Sequence, residues 1–247
     1  MRTSNPALNA KTFERFGSPP GVAAGSEPMT IEGTVNRTAF LLLLLVATAT
    51  WTWSQTAAGV PVGGYLLGGI LGGFVMALVT IFKPVWAPVT APIYALLEGL
   101  ALGAISAYFQ ARFPGIVIQA VALTFGVLFA LLLAYRSGLI PVTENFRLGI
   151  VAATGGIAIF YLVAIGLGFF GIRIPMLHEG SWLGIGFSVF VVIIAALNLV
   201  LDFDFIEKGA EQGAPKVMEW YAAFGLIVTL VWLYLEILRL LSKLRSR

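Results

Sequence analysis

Four carboxylates interrupt long apolar stretches of this sequence: Glu98, Asp202, Asp204 and Glu236. An ionised carboxylate in the middle of a bilayer costs about 2.5–3.5 kcal/mol or more. It persists by taking up a proton, by pairing with a cation or by facing water. Two carboxylates that lie close together in a low dielectric cannot both ionise cheaply, so they share a proton or bind a cation. These residue types therefore indicate a pH-dependent ion pathway.

The local surroundings of the four acids differ. Asp202 and Asp204 lie near a polar connection, where either could simply mark a helix end, and about 200° separates them on a helix, so they face different ways. Glu236 has Arg239 three residues later on the same face, which leaves open a structural ion pair at the membrane edge. Glu98 has no basic residue nearby in its own helix, so its partner must come from another helix or it must be neutral.

The sequence excludes several classes of reactive site. It has no cysteine and one histidine, His178, so disulfides, thiolate catalysis and zinc sites with several histidines are excluded. His178 and Glu179 lie in a connection, where a lone histidine is usually only solvated. The chain has no Gly-x-Ser-x-Gly motif, and its neighbouring aspartates do not face each other from two helices as in an aspartyl protease. We expect no enzyme and no resident cofactor, with Ca²⁺ relevant only as a transported ion.

The composition places the chain in a membrane. Of its 247 residues, 59% are hydrophobic and 11% are charged. A soluble domain carries about 25% charged residues, so this chain has too little charge to cover a water-facing surface. The net charge is +3, and the basic residues fall at the ends of apolar stretches and in the tails. They are expected to contact lipid headgroups and not nucleic acid.

Seven apolar runs are each long enough to cross a bilayer, which needs about 20 residues. The sequence therefore predicts an all-α membrane protein with seven transmembrane helices, preceded by a polar, largely disordered tail over residues 1–38. The predicted spans are 39–57, 61–82, 88–109, 115–135, 149–171, 182–205 and 218–241.

The distribution of lysine and arginine predicts the orientation. Nine basic residues fall on the side that holds the N-terminus and six on the other, which favours a cytoplasmic N-terminus and a C-terminus across the membrane. The basic C-terminal tail argues the other way. A re-entrant last segment would place both termini in the cytoplasm.

Glycines recur at a spacing of four residues in two of the predicted spans. Gly64, Gly68 and Gly72 follow this spacing in the second span, and Gly99 and Gly103 follow it in the third. Small residues at this interval allow helices to approach closely in lipid. We expect these glycines to lie at helix–helix contacts.

Three segments together resemble the Bax inhibitor-1 family, also called the TMBIM or YccA-like family, in its bacterial branch. Residues 98–104 read Glu-Gly-Leu-Ala-Leu-Gly-Ala and resemble the third span of that family. Residues 198–203 read Asn-Leu-Val-Leu-Asp-Phe and resemble its sixth span, and residues 233–238 read Leu-Tyr-Leu-Glu-Ile-Leu and resemble its seventh.

This resemblance implies a bundle with the last helix at its centre, in a bacterial cell membrane. It implies a pH-sensitive cation leak, best described for Ca²⁺, controlled by Asp202 and Glu236. Here the seventh-span acid is glutamate where the family usually has aspartate. Contact with Asp202 requires the sixth helix to continue towards Gly209 or beyond and the seventh to dip or start late. Glu98 is the alternative partner. A non-conducting regulator that binds another membrane protein, such as a protease, is the second function that the resemblance allows.

Overall fold

A computed structural model describes residues 27–171 and 181–246 of the chain. Within this part, seven helices are long and apolar enough to cross a membrane. The prediction of an all-α protein with seven transmembrane helices is confirmed. The helices are α1 (Ile31–Ala57), α2 (Gly63–Phe82), α3 (Ala87–Arg112), α4 (Ile116–Arg136), α5 (Glu144–Phe169), α6 (Trp182–Glu211) and α7 (Met218–Arg245).

Two helices extend well beyond their predicted bounds because their ends are polar. α1 begins at Ile31, not at residue 39, so part of the predicted tail is helical. Thr30 caps this end by accepting a hydrogen bond from the Gly33 N–H at 2.9 Å, and Glu32 lies in the first turn, where the helix dipole favours a negative charge. α6 continues to Glu211 through a charged last turn. The predicted disorder of residues 1–26 lies outside the described residues.

The last helix forms the centre of the bundle, as the family resemblance implied. α7 packs against α1, α3, α4 and α6, whereas α2 packs on the outside of α3. Side chains along the whole of α7 are fully buried, among them those of Tyr221, Phe224, Ile227, Leu233 and Leu238. A polar group on the buried faces of α7 must therefore find its partner inside the protein.

Successive helices alternate in direction, so the bundle has two ends. The N-end holds the start of α1, where the Met29 N–H donates to the Ala214 carbonyl oxygen at 2.6 Å. The C-end holds the end of α7, where Arg245 donates to the Pro114 carbonyl oxygen at 2.7 Å. The two ends of the described chain thus lie at opposite ends of the bundle.

The segment before α1 docks on the connection between α6 and α7. Glu27 forms an ion pair with Lys216, whose ammonium group lowers the pKa of the Glu27 carboxyl. Glu219, buried in the first turn of α7, accepts hydrogen bonds from the N–H and the hydroxyl of Thr30. These contacts join the starts of α1 and α7.

The close approach of α2 to α3 occurs one residue away from the predicted glycine row. A Cβ atom on Gly69 would lie 2.6 Å from the carbonyl oxygen of Leu97. Gly72 lies at the margin of this contact, against the Leu97 side chain. Among residues 27–171 and 181–246, no atom lies within 4 Å of a Cβ built on Gly64 or Gly68, so the helix-packing prediction is wrong for these two residues within this part of the chain. Gly69 and Gly73 form a second row with the same four-residue spacing, and spacing alone does not show which row faces α3.

The other two predicted glycines lie where α3 meets α1. A Cβ atom on Gly99 would lie 2.3 Å from the carbonyl oxygen of Leu45, and one on Gly103 would lie 2.3 Å from that of Ala49. Backbone therefore packs directly on backbone here, which draws α1 and α3 together.

Gly69→Leu is expected to destabilise the protein by about 1–3 kcal/mol, because the added side chain forces α2 away from α3. Gly68→Leu is the matched control, one residue along the same helix and facing open space. It should change stability by no more than about 0.5 kcal/mol. Thermal unfolding of both variants in detergent measures the difference. Equal melting temperatures would contradict this placement of α2.

Candidate functional site

α5 meets the rest of the bundle along one seam. Its other faces carry exposed apolar residues such as Leu148 and Ile159. The seam residues repeat at intervals of three and four, which keeps them on one side of the helix. They alternate between polar and apolar: Arg147, Ile150, Thr154, Ile157 and Tyr161.

The first two polar residues of this seam bind polar side chains of α6. Arg147 is 4% exposed and donates from Nη2 to Oδ2 of Asp204 at 2.5 Å. Asn198 donates from Nδ2 to the hydroxyl oxygen of Thr154 at 2.9 Å. α5 is thus attached to α6 by an ion pair near the N-end and by a neutral hydrogen bond further along.

The third polar residue of the seam contacts an ion pair on α7 whose glutamate is buried. Tyr161 donates to Oε1 of Glu236 at 3.0 Å, and Arg239 forms an ion pair with the same oxygen at 2.7 Å. The ion pair considered for Glu236 is therefore present, and Tyr161 completes it. Towards the C-end, Lys243 donates to the hydroxyl oxygen of Ser188 at 2.9 Å.

Asp204 is compensated by two cations. Besides Arg147, it pairs with Lys208 one turn later at 2.7 Å. Its side chain is 11% exposed, so the pair with Arg147 is screened little by solvent. Arg147 also contacts Glu144 at 3.1 Å, but the Glu144 side chain is 83% exposed. Asp204 therefore anchors α5 and does not merely mark the end of α6.

Asp202 is fully buried, with 0% of its surface exposed. It follows Asn198 by four residues, which places it one turn nearer the N-end and about 40° round the helix. Asp204 points about 200° away from it. Asp202 therefore lies on the α6 face that carries Asn198, at a depth between the Arg147–Asp204 and Asn198–Thr154 contacts.

These side chains form separate polar contacts at successive depths of the bundle, which together we call the polar file. Along α6, Ser188 and Lys208 are separated by about 30 Å at 1.5 Å per residue, which is the thickness of the hydrocarbon core. The polar file consists of Arg147, Thr154, Tyr161, Ser188, Asn198, Asp202, Asp204, Lys208, Glu236, Arg239 and Lys243.

The structure does not bring Asp202 and Glu236 to the same depth. Lys243 bonds to both Gly184 and Ser188, which sets the register of the antiparallel helices α6 and α7. Glu236, seven residues before Lys243, is then level with about residue 193 of α6. Asp202 lies nine residues from that level, an axial distance of about 14 Å. α6 does pass Gly209, yet the two acids occupy separate positions in the polar file.

Glu98, the alternative partner, lies at about the depth of Asp202. The ring of Tyr94 on α3 packs against that of Phe224 on α7, with the centroids 5.0 Å apart. α3 and α7 run in the same direction, so Glu98, four residues later, is level with about residue 228 of α7. The register of α6 and α7 places Asp202 level with about residue 227. Glu98 on α3 and Asp202 on α6 therefore lie at about the same depth in the bundle.

The carboxylate of Glu98 lies beside a glycine of α2. A Cβ atom on Gly73 would lie 3.1 Å from Oε2 of Glu98. Within the described part of the chain, the carboxylate of Glu98 is half-buried and makes no hydrogen bond or ion pair. Gly73 therefore leaves space for this carboxylate.

Sequence reasoning missed the contribution of α5. The predicted fifth span begins at residue 149, which leaves Arg147 in a connection, and the sequence pattern gives no role to Thr154 or Tyr161. Arg147, Thr154 and Tyr161 are seven residues apart, and this spacing of polar residues along an apolar helix indicates that they share one face. His178 and Glu179 lie outside the described residues. Among the described residues, no group of three or more His, Cys, Asp or Glu side chains could hold a metal ion.

Asp204→Asn is expected to destabilise the protein by about 3–5 kcal/mol, because it leaves the buried guanidinium of Arg147 without its main counter-charge. Glu144→Gln removes the exposed partner of the same guanidinium and should cost less than about 1 kcal/mol. Thermal unfolding in detergent compares the two variants. Equal losses would mean that burial does not strengthen the Arg147–Asp204 pair.

Comparison with known proteins agrees with this architecture. Neither the curated proteins nor the solved structures gave a match to the chain. A family model described as Bax inhibitor 1 like matches residues 5–246 and so covers all seven helices. The chain is therefore a member of the Bax inhibitor 1 like family of membrane proteins.

Proposed function

We propose that the protein conducts cations, Ca²⁺ among them, in a pH-sensitive manner along the polar file. The observation that carries this proposal is a fully buried Asp202 within a series of polar side chains about as long as the bilayer is thick. Ionisable side chains inside a membrane are costly and typically mark ion or proton pathways. Carboxylate and amide oxygens are suitable ligands for Ca²⁺.

The charges along the polar file suit control by Asp202. Asp204 has Arg147 and Lys208 beside it, and Glu236 has Arg239, so these two acids sit in local ion pairs. An ionised Asp202 attracts a cation to its own level, between those of the two ion pairs, whereas a protonated Asp202 does not. Proton concentration then competes directly with cation entry.

The basic residues at the two ends of the polar file give it a barrier on each side. Arg147 and Lys208 lie towards the N-end, and Arg239 and Lys243 towards the C-end. Fixed positive charges repel an entering cation until the contacts that hold them are rearranged. Movement of α5 achieves this, because Arg147 and Tyr161 attach that helix to α6 and α7.

The N-end is proposed to face the cytoplasm of a bacterial cell. The support is the nine-to-six distribution of basic residues between the two sides. The chain has no cysteine of its own, so a cysteine introduced at Ser137, in the connection before α5, would be the only target for a thiol reagent. In intact cells it should resist a membrane-impermeant maleimide and react after lysis. Labelling in intact cells would show that the N-end faces outward, which is the opposite orientation.

Flux measurements on Asp202→Asn test the proposal. Purified protein is reconstituted into liposomes that contain a Ca²⁺ dye, and influx is recorded as external pH is varied. The wild-type rate should depend on pH, and Asp202→Asn should abolish that dependence while the melting temperature stays close to wild type. The substitution keeps the size and hydrogen bonding of the side chain but removes its charge.

Glu98→Gln serves as the matched control for this measurement, since it removes an acid at the same depth but outside the polar file. It should retain the wild-type pH profile. An unchanged pH profile in Asp202→Asn would make this acid structural. A lost pH profile in Glu98→Gln alone would move the pathway to the contact between α2 and α3.

Cross-linking α5 to α6 tests the route of the ion. Ile157 and Ile194 belong to one apolar cluster between these helices. The variant with Ile157→Cys and Ile194→Cys should conduct when reduced and should lose flux when the cysteines are joined by a short bis-maleimide. The effect follows because α5 can no longer separate from α6.

A second cysteine pair controls for the chemistry of cross-linking. The hydroxyls of Thr80 and Thr90 lie 2.8 Å apart between α2 and the start of α3, away from the polar file. Joining Thr80→Cys to Thr90→Cys should leave flux intact. If the pair at residues 157 and 194 conducts equally well when joined, the pathway does not open at the α5–α6 seam.

The alternative is a regulator that binds another membrane protein without conducting ions. The observation in its favour is the exposed row formed by Gly64 and Gly68, since small residues let a foreign helix approach closely. The liposome measurement separates the two functions. Absence of flux at every pH, from correctly folded protein, would favour the regulator.

A further inference from the structure

A cavity of about 380 Å³ lies on another side of α7, between α1 and α4. Leu230 and Val231 of α7 line it and are themselves almost wholly buried in the bundle. Val46 and Thr50 of α1 also line it and are exposed at the surface. The cavity therefore leads from the lipid-facing surface of the bundle to its central helix.

The dimensions of the cavity indicate the width of an occupant. Along α1 its lining extends from Leu42 to Trp53, which is about 16 Å of helix. A volume of about 380 Å³ over this length gives a mean cross-section of about 24 Å². An α-helix is about 10–12 Å across and does not fit. A single hydrocarbon chain, about 4–5 Å wide at van der Waals contact, does fit.

The chemistry of the lining also indicates a hydrocarbon. The four hydroxyl groups in the wall are already bonded within the protein. Ser106 and Tyr234 bond to each other at 2.7 Å, and Thr50 and Thr124 each donate at 2.8 Å to a carbonyl oxygen one turn earlier in their own helix. The remaining lining residues are apolar apart from the indole N–H of Trp53. Few polar groups are thus left for a polar ligand, and water would gain little.

A basic side chain, Arg245, lies near the C-end of the cavity, where a lipid headgroup would be. Val117, in the first turn of α4, lines the cavity at this end. Arg245 reaches the same turn and donates to the Pro114 carbonyl oxygen and to the Gln119 side chain. A guanidinium group near the membrane surface attracts a phosphate group.

We propose that one acyl chain of a membrane phospholipid occupies this cavity, with its phosphate group near Arg245 at the C-end. The chain enters sideways between α1 and α4 and reaches Leu230 and Val231 of α7. A space that opens into hydrocarbon at this depth has lipid chains as its solvent, so the cavity fills from the bilayer. The proposal is independent of ion conduction.

Photolabelling tests the proposal directly. Wild-type protein is reconstituted in vesicles of phosphatidylglycerol and phosphatidylethanolamine that contain a phosphatidylglycerol with a diazirine in one acyl chain. After irradiation, adducts are located by peptide mass spectrometry. Adducts on Leu230 or Val231 are expected in addition to those on the lipid-facing surface. Because these two side chains are buried in the bundle, annular lipid reaches them only through the cavity.

Two tryptophan substitutions on α4 provide the variant and its control. Val121→Trp fills the cavity and should abolish the adducts on α7, whereas Leu123→Trp faces lipid and should leave them unchanged. Val46→Trp, on the opposite wall, repeats the block if Val121→Trp unfolds. Labelling confined to lipid-facing residues in the wild type would overturn the proposal. Adducts on α7 that persist in both folded blocking variants would also overturn it.

Discussion

A charge in hydrocarbon must be compensated inside the protein, and this constraint accounts for most of the arrangement of α5, α6 and α7. Asp204 is held by Arg147 and Lys208, and Glu236 is held by Arg239. Because Arg147 of α5 pairs with Asp204 and Tyr161 of α5 donates to Glu236, compensation of charge also fixes the position of a helix that buries little apolar surface. An α-helix in lipid gains nothing from apolar burial itself, so polar contacts carry the attachment.

α7 separates two different environments. On one side, its Glu236 and Arg239 complete the polar file, and on another, its Leu230 and Val231 face an apolar cavity that opens to lipid. Only a helix at the centre of the bundle can present both. The ion pair of Glu236 and one wall of the apolar cavity are therefore built on the same helix.

The sequence was sufficient to predict the number of helices and, through the family resemblance, the central position of α7, because each span is a long apolar run. It was insufficient at the start of α1, where Thr30 caps a polar turn that hydropathy does not register. It also misplaced Gly68, since two rows of glycine share one spacing. The pair of Glu236 with Arg239 can be predicted from the sequence, because residues three apart lie on the same face of a helix. The Arg147 partner of Asp204 lies 57 residues away, on a helix whose register no local pattern fixes.

The central claim is that the protonation state of Asp202 controls conduction along the polar file. Infrared difference spectroscopy of reconstituted protein measures that state directly, because the carboxylic acid C=O band that is lost in Asp202→Asn reports the protonated side chain. As pH rises, this band should disappear with the same midpoint at which Ca²⁺ flux appears. A band that disappears at a midpoint more than about one pH unit from that of the flux, or flux that develops while the band persists, would contradict the account.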